Sequence, residues 1–85
     1  MSTRVAITGA GAVSPVGLTS SESWNSIKNG KLGISTIQSF DSSNLSVHIA
    51  AEVNGFNPEE KLGKKDSRRL DRFSQFACVA AMEAL

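Results

Sequence analysis

The stretch KKDSRRLDRFSQFACVAAMEAL, residues 64–85, decides the architecture of this chain. Its Leu70, Phe73, Ala77, Ala80, Ala81 and Ala84 recur three and four apart, so they stack along one side of a helix running through the stretch. At about 100° per residue, Arg68, Arg72 and Gln75 fall opposite that stripe. Val79 and Met82 lie on or beside the same opposite side, which leaves the later turns apolar nearly all round. Such a helix is covered on both sides, by its own domain or by a partner, and its alanines let a neighbouring backbone approach closely. No capping glycine, late cationic cluster or polar tail follows Met82, so the expectation is a helix interrupted mid-element.

Eighty-five residues make at most one small domain, in a size range that buries only about 60–65% of its chain surface. Hydrophobic residues are 40% and charged residues 20%, as in ordinary soluble chains, but aromatics are only 6%. With few large side chains, no disulfide and no cluster of metal ligands, little offsets roughly 1–2 kcal/mol of backbone ordering per residue. The composition therefore reads as part of a larger unit. The net charge of +1 gives no whole-molecule attraction to nucleic acid or to a membrane surface. No apolar run reaches the ~18 residues of a membrane span, and the short, glycine-broken 5–16 segment is not a signal peptide. A single cysteine excludes an internal disulfide and fits a reducing, cytoplasmic setting.

Working back toward the start, Arg4-Val5-Ala6-Ile7-Thr8 reads as a strand buried on both faces, ending at Gly9-Ala10-Gly11. Ser14-Pro15-Val16-Gly17 is a turn, and Thr19-Ser20-Ser21-Glu22 has the spacing of a capping box. The short helix that follows carries Trp24 and Ile27 on its apolar side and stops at Asn29-Gly30. Residues 31–47 form a surface-hugging loop pinned by Ile34, Ile37, Phe40 and Leu45, and a loop this long in so short a chain expects further segments over it. His48-Ile49-Ala50-Ala51-Glu52-Val53 reads as a second strand, closed by the turn chemistry of residues 54–58. Glu59-Glu60 then suits a helix start.

Four features invite chemistry. The 8–14 segment TGAGAVS follows a strand as a dinucleotide fingerprint would, but Ser14 stands where the third glycine belongs. The helix is delayed past Pro15, and no acid lies about 20 residues on. A turn where two backbones pass close together is the better reading, and no cofactor is expected. Cys78 sits mid-helix among Phe76, Ala77, Val79 and Ala80 with no base beside it, which makes it a buried structural thiol. His48, the lone imidazole, has no second ligand or nucleophile and reads as a strand-edge side chain, so no metal site is expected. The basic cluster differs: six of the nine cations lie between Lys61 and Arg72. Cations at a helix start oppose the macrodipole, so Lys64, Lys65, Arg68 and Arg69 point to an anionic partner, with intramolecular salt bridges as the competing explanation.

The motifs VAITGAGAVSPVG at residues 5–17, Asn29-Gly30-Lys31-Leu32-Gly33-Ile34-Ser35, Phe40-Asp41 and RRLDRFSQFACVAAMEAL at residues 68–85 together resemble the β-ketoacyl-acyl-carrier-protein synthases. The resemblance covers nearly the whole chain and is greatest to the elongating type, synthase II. It implies an α/β class, the thiolase-like α-β-α-β-α layered fold, of which residues 1–85 are an incomplete N-terminal portion of the N-terminal domain. It implies homodimers that elongate fatty acids by decarboxylative condensation of a cysteine-held acyl thioester with malonyl-carrier protein, with two histidines stabilising the oxyanion.

Those catalytic groups belong to later motifs, so no catalytic residue is expected here and the segment alone is expected to be inactive. By matched position the resemblance places the docking patch for acyl carrier protein, in its acyl and malonyl forms, on Lys65, Arg68 and Arg69, with Lys64 as a helper. Carrier proteins are acidic, so the sign of the charge agrees. Polyketide-type ketosynthases and their chain-length partner subunits share the RRLDRF-like stretch and are an alternative within the same fold. A small nucleotide-binding module, or a short protein that sequesters carrier protein on the basic helix, are alternatives from other classes.

Overall fold

The chain is a mixed helix-and-strand structure in a computed structural model that describes residues 2–85. Its elements run α1 Ser20–Lys28, β1 Ser35–Thr36, β2 Ile49–Ala50, α2 Pro58–Leu62, α3 Lys64–Arg69 and α4 Arg72–Ala84. The local signals explain most boundaries. Thr19, extended at φ −135° and ψ 166°, caps α1 by accepting from the Glu22 amide, and the Glu22 carboxylate reaches back to the Leu18 amide at 3.0 Å. The reciprocal cap is thus present, with Leu18 rather than Thr19 as the second donor. Asn57 caps α2 through Glu59, and Pro58 opens the helix where its missing N–H would be unbonded anyway.

The 64–85 stretch is two helices instead of one. Leu70 is extended at φ −112° and ψ 140°, and Asp71 at φ −69° and ψ 161° stands as the N-cap of α4. No glycine or proline forces the break. Aspartate is a preferred N-cap residue, and the turn is held from the far side by a buried side chain described below.

The apolar stripe is also used differently from its periodic reading. Val79 is 8% exposed and Gln75 is 8% exposed, so the buried face of α4 runs through the side expected to be polar, while Phe73 is 73% exposed. A helix apolar on two sides offers either one for packing, and the described residues cover only one. Cys78 is half-buried.

Residues 4–8 do not form a strand: Val5 and Ile7 are 90% and 91% exposed. The short apolar run is there, but no described strand lies beside it to complete the backbone hydrogen bonds. The second expected strand is present only as β2, which pairs antiparallel with β1 in the register Ser35↔Ala50 and Thr36↔Ile49. Ile37 extends the ladder by donating to the His48 carbonyl at 2.8 Å. The Glu52 carboxylate closes its end by accepting from the Gln38 and Ser39 amides at 2.8 and 3.2 Å.

The glycine-rich segment does make the close backbone approach its composition suggests. Cβ atoms built at Gly9 and Gly11 would land on the carbonyl oxygens of Ala84 and Ala80, so the segment lies directly on the α4 backbone. Farther on, the Ser14–Gly17 turn is fastened to α1 by Ser23, whose hydroxyl lies 2.7 Å from that of Ser14, and by Ser26, which donates to the Val16 carbonyl at 2.7 Å.

These ties are polar, and apolar burial is sparse. The radius of gyration is 16.1 Å, where a closed domain of this length has about 12 Å. The accessible surface is 6698 Å², against roughly 4,900 Å² for a folded monomer of the same mass. Much of the apolar surface is therefore open to further protein. The Gly11→Ala substitution should drive the segment off α4, destabilising the folded protein by about 1–3 kcal/mol. Thermal denaturation of the variant beside the parent measures it.

Candidate functional site

Helix α3 carries the cations. Taking about 100° per residue, Lys64, Lys65, Arg68 and Arg69 span an arc of roughly 140°. All four are exposed. Ser67, on the opposite arc, is buried at 6% exposure and turns its hydroxyl onto the Lys64 carbonyl at 3.0 Å. The helix thus presents one positive face outward and anchors the other inward. Because α3 ends at Arg69, Arg68 and Arg69 occupy its last turn, where they complement the helix dipole, and only Lys64 and Lys65 oppose it. The dipole argument made from one long helix therefore applies to half of the patch.

Three side chains tie this part of the chain together, one of them to α3 itself and two through α4, and periodicity alone identified none of them. Gln75 donates through Nε2 to the Ser67 carbonyl at 2.8 Å and the Leu70 carbonyl at 3.3 Å, across the corner between α3 and α4. Arg72 lies over the rings of Phe56 and Phe76, 5.3 and 5.0 Å from their centroids. It also donates to the Val53 carbonyl at 3.0 Å, which joins α4 to the segment leading into α2. The two rings meet edge to face at 5.0 Å.

Glu83 is the third. Its carboxylate accepts from the Ala12 amide at 2.9 Å, the Ser20 amide at 3.0 Å and the Ser20 hydroxyl at 2.9 Å. The joint between α2 and α3 is Gly63, at φ +85°.

Beside the patch, Leu62, Arg69, Leu70, Cys78 and Met82 line an open groove of about 570 Å³ between α3 and α4. Cys78 therefore lies on a groove wall, with no histidine among the lining residues, and His48 is exposed just before β2. The structure does not bring the one thiol and the one imidazole together at a site. No helix is long and apolar enough to cross a membrane among the described residues, and no cluster of three or more His, Cys, Asp or Glu side chains there is placed to hold a metal ion.

With this arrangement in view, the comparisons are specific. Residues 2–85 match the family model described as β-ketoacyl synthase, N-terminal domain, and the chain belongs to that family. It is 46% identical over 82 residues to the 3-oxoacyl-[acyl-carrier-protein] synthase 2 of Staphylococcus aureus strain COL, covering 96% of this chain and 20% of the relative. It is 43% identical over 82 residues to the enzyme of the same name from Vibrio cholerae, again covering 96% of this chain and 20% of the relative. The chain thus spans about a fifth of the length of these relatives and corresponds to their synthase 2 N-terminal segment.

The Glu83 tie gives a pH prediction. Hydrogen bonds from the Ala12 and then the Ser20 amide hold its carboxyl below the ordinary value of 4.5, helped by the Ser20 hydroxyl and the Lys61 charge and opposed by desolvation. A carboxyl depressed by folding stabilises fully above pH 4.5 and loses that contribution as pH falls through the lower folded value. Glu83→Gln should therefore melt below the parent at neutral pH, and the gap should close on acidification. Melting curves of both proteins from neutral to strongly acidic pH test this, and a gap that stays constant with pH contradicts it.

Proposed function

We propose that this segment opens a fatty-acid-elongating 3-oxoacyl-[acyl-carrier-protein] synthase II. The observation carrying the reading is 46% identity along 96% of the chain to a protein of that name, within the ketoacyl synthase family. In the complete enzyme an acyl group held as a cysteine thioester is attacked by the carbanion that forms as malonyl-carrier protein loses carbon dioxide. A carbon–carbon bond forms and the cysteine sulfur leaves. A thiol needs an adjacent base or a positive environment to become the attacking thiolate, and the developing oxyanion needs converging donors. Cys78 and His48 offer neither arrangement, so the reacting cysteine and histidines lie outside residues 1–85 and the segment has no turnover by itself.

In this reading the open apolar face of Phe73, the groove by Cys78 and the uncovered 4–8 segment pack against the rest of a thiolase-like α-β-α-β-α layered subunit. The subunit is a cytoplasmic homodimer. The part of the function that falls to these residues is carrier-protein docking, with Lys65, Arg68 and Arg69 as the principal cations and Lys64 as a helper. Four exposed cations on one face support it: an acidic partner would be steered toward α3, and the steering would weaken as salt screens it. The substrate delivered there is the acyl or malonyl thioester of the carrier protein.

Reversing Arg68 and Arg69 together, as Arg68→Glu with Arg69→Glu in the complete enzyme, should raise KM for carrier-borne substrate at least about tenfold, as charge-pair truncations at interfaces do. Condensation with a small carrier-free thioester should persist. Steady-state kinetics on both substrates measures the split, and an equal loss on the two rejects the docking assignment.

A further inference from the structure

We infer that Gln75 is a positioning residue for the basic face of α3, acting by holding the α3–α4 corner rather than by touching the partner. This deepens the carrier-protein reading of α3 and rests on it.

The observation is a buried amide where an amphipathic helix would have solvent. Gln75 is 8% exposed, and its two Nε2 bonds go to Ser67, inside α3, and to Leu70, the extended residue that ends it. The last carbonyls of a helix have no partner within it, and α3 has only six residues in which to make such bonds. A helix this short has little rigidity of its own. Gln75 supplies the donors that its final turn lacks, from a side chain rooted in the 13-residue α4. Its backbone amide also bonds to the Asp71 carbonyl at 2.9 Å, so the first turn of α4 is closed beneath it.

The consequence lies in the geometry of the charges. Ser67, whose carbonyl Gln75 holds, is on the arc opposite the cations, and fixing it fixes the direction in which Lys64, Lys65, Arg68 and Arg69 point. At its other end α3 hangs from Gly63, whose left-handed backbone meets nothing within 4 Å where a Cβ would be. No side chain at Gly63 itself helps to hold that end. Releasing Gln75 would leave all four charges in place but let the helix that carries them swing or fray. Binding would then lose the benefit of preorganisation, while the number of cations, and with it the salt dependence of steering, would stay the same.

The test uses the complete enzyme with Gln75→Met, which keeps the length of the side chain and removes its donors, and Gln75→Glu, which keeps size and polarity and removes the donors at neutral pH. KM for carrier-borne substrate should rise roughly five- to tenfold in both, about what the loss of one or two net hydrogen bonds produces. kcat and turnover of a small carrier-free thioester should stay within about twofold of the parent, and in Gln75→Met, which adds no charge, the slope of log kcat/KM against log salt should be unchanged. An unchanged KM for the carrier-borne substrate overturns the inference. So does equal loss on both substrates in both variants, which marks Gln75 as support for the subunit in general. The Arg68→Glu, Arg69→Glu protein serves as the separate control on docking. It should flatten the salt slope, and if slope and KM stay as in the parent, the docking reading fails and the positioning role falls with it whatever the Gln75 variants do.

Discussion

Glu83 joins the two ends of the described chain. Its single carboxylate collects the Ala12 amide and both the amide and hydroxyl of Ser20, 71 and 63 residues away in sequence. Ser20 is the first residue of α1, whose opening amides have no partners within the helix, so the carboxylate acts there as a cap supplied from α4. The glycine-rich segment can lie against α4 because Gly9 and Gly11 leave room for the carbonyls of Ala84 and Ala80. Once it lies there, Ala12 is within reach of Glu83, and the turn at residues 14–17 is delivered to α1. Backbone closeness and one anion thus fix where the first third of the chain goes.

This is an arrangement of polar ties around very little core. Val79 is the buried apolar residue of the described chain, while Ser23, Ser42, Ser67 and Gln75 are buried polar ones, and no fully buried side-chain nitrogen or oxygen among the described residues lacks a hydrogen-bond partner. Polar ties give direction and register but modest net free energy, because water competes for the same groups. Burial of apolar area supplies the bulk of folding stability in a closed domain. Trp24, Phe40, Phe73 and Val5 remain in the open, so the surfaces able to supply that area are present and unfilled.

What could be read from the amino acids follows the same division. Signals that act within a few residues were legible: Thr19 with Glu22, the acidic pair Glu59-Glu60 in the first turn of α2, and Gly30 at φ +70° after α1 all fulfil their local chemistry, while Asn57, read as part of a turn, proves to cap α2. The glycine segment was legible as a close approach, though not which helix it approaches. Strand 4–8 was not, because a strand exists only where a neighbour accepts its hydrogen bonds, and a run of Val and Ile does not contain its partner. The break at Leu70 was hidden because a heptad-like stripe runs through it unbroken. Its one local sign was Asp71, a residue type suited to begin a helix. Gln75 was read as solvent-facing because periodicity sorts residues by polarity and cannot see that an amide eight residues after Ser67 meets its carbonyl. The basic cluster was legible as composition, and its outward face needed the buried Ser67 to define it.

Gly63 carries a consequence for how electrostatic surfaces diverge among related chains. Its φ of 85° and ψ of 156° lie where an L-residue is strained and a mirror-image residue would rest comfortably. An uncharged side chain there strains this backbone, and relief of that strain would turn the six residues after it without altering a single charge. Two sequences with the same cations in the same order can therefore display different potentials to an approaching molecule, and tallying lysines and arginines will not tell them apart. Stereochemistry at one uncharged atom thus bears on the direction of the field.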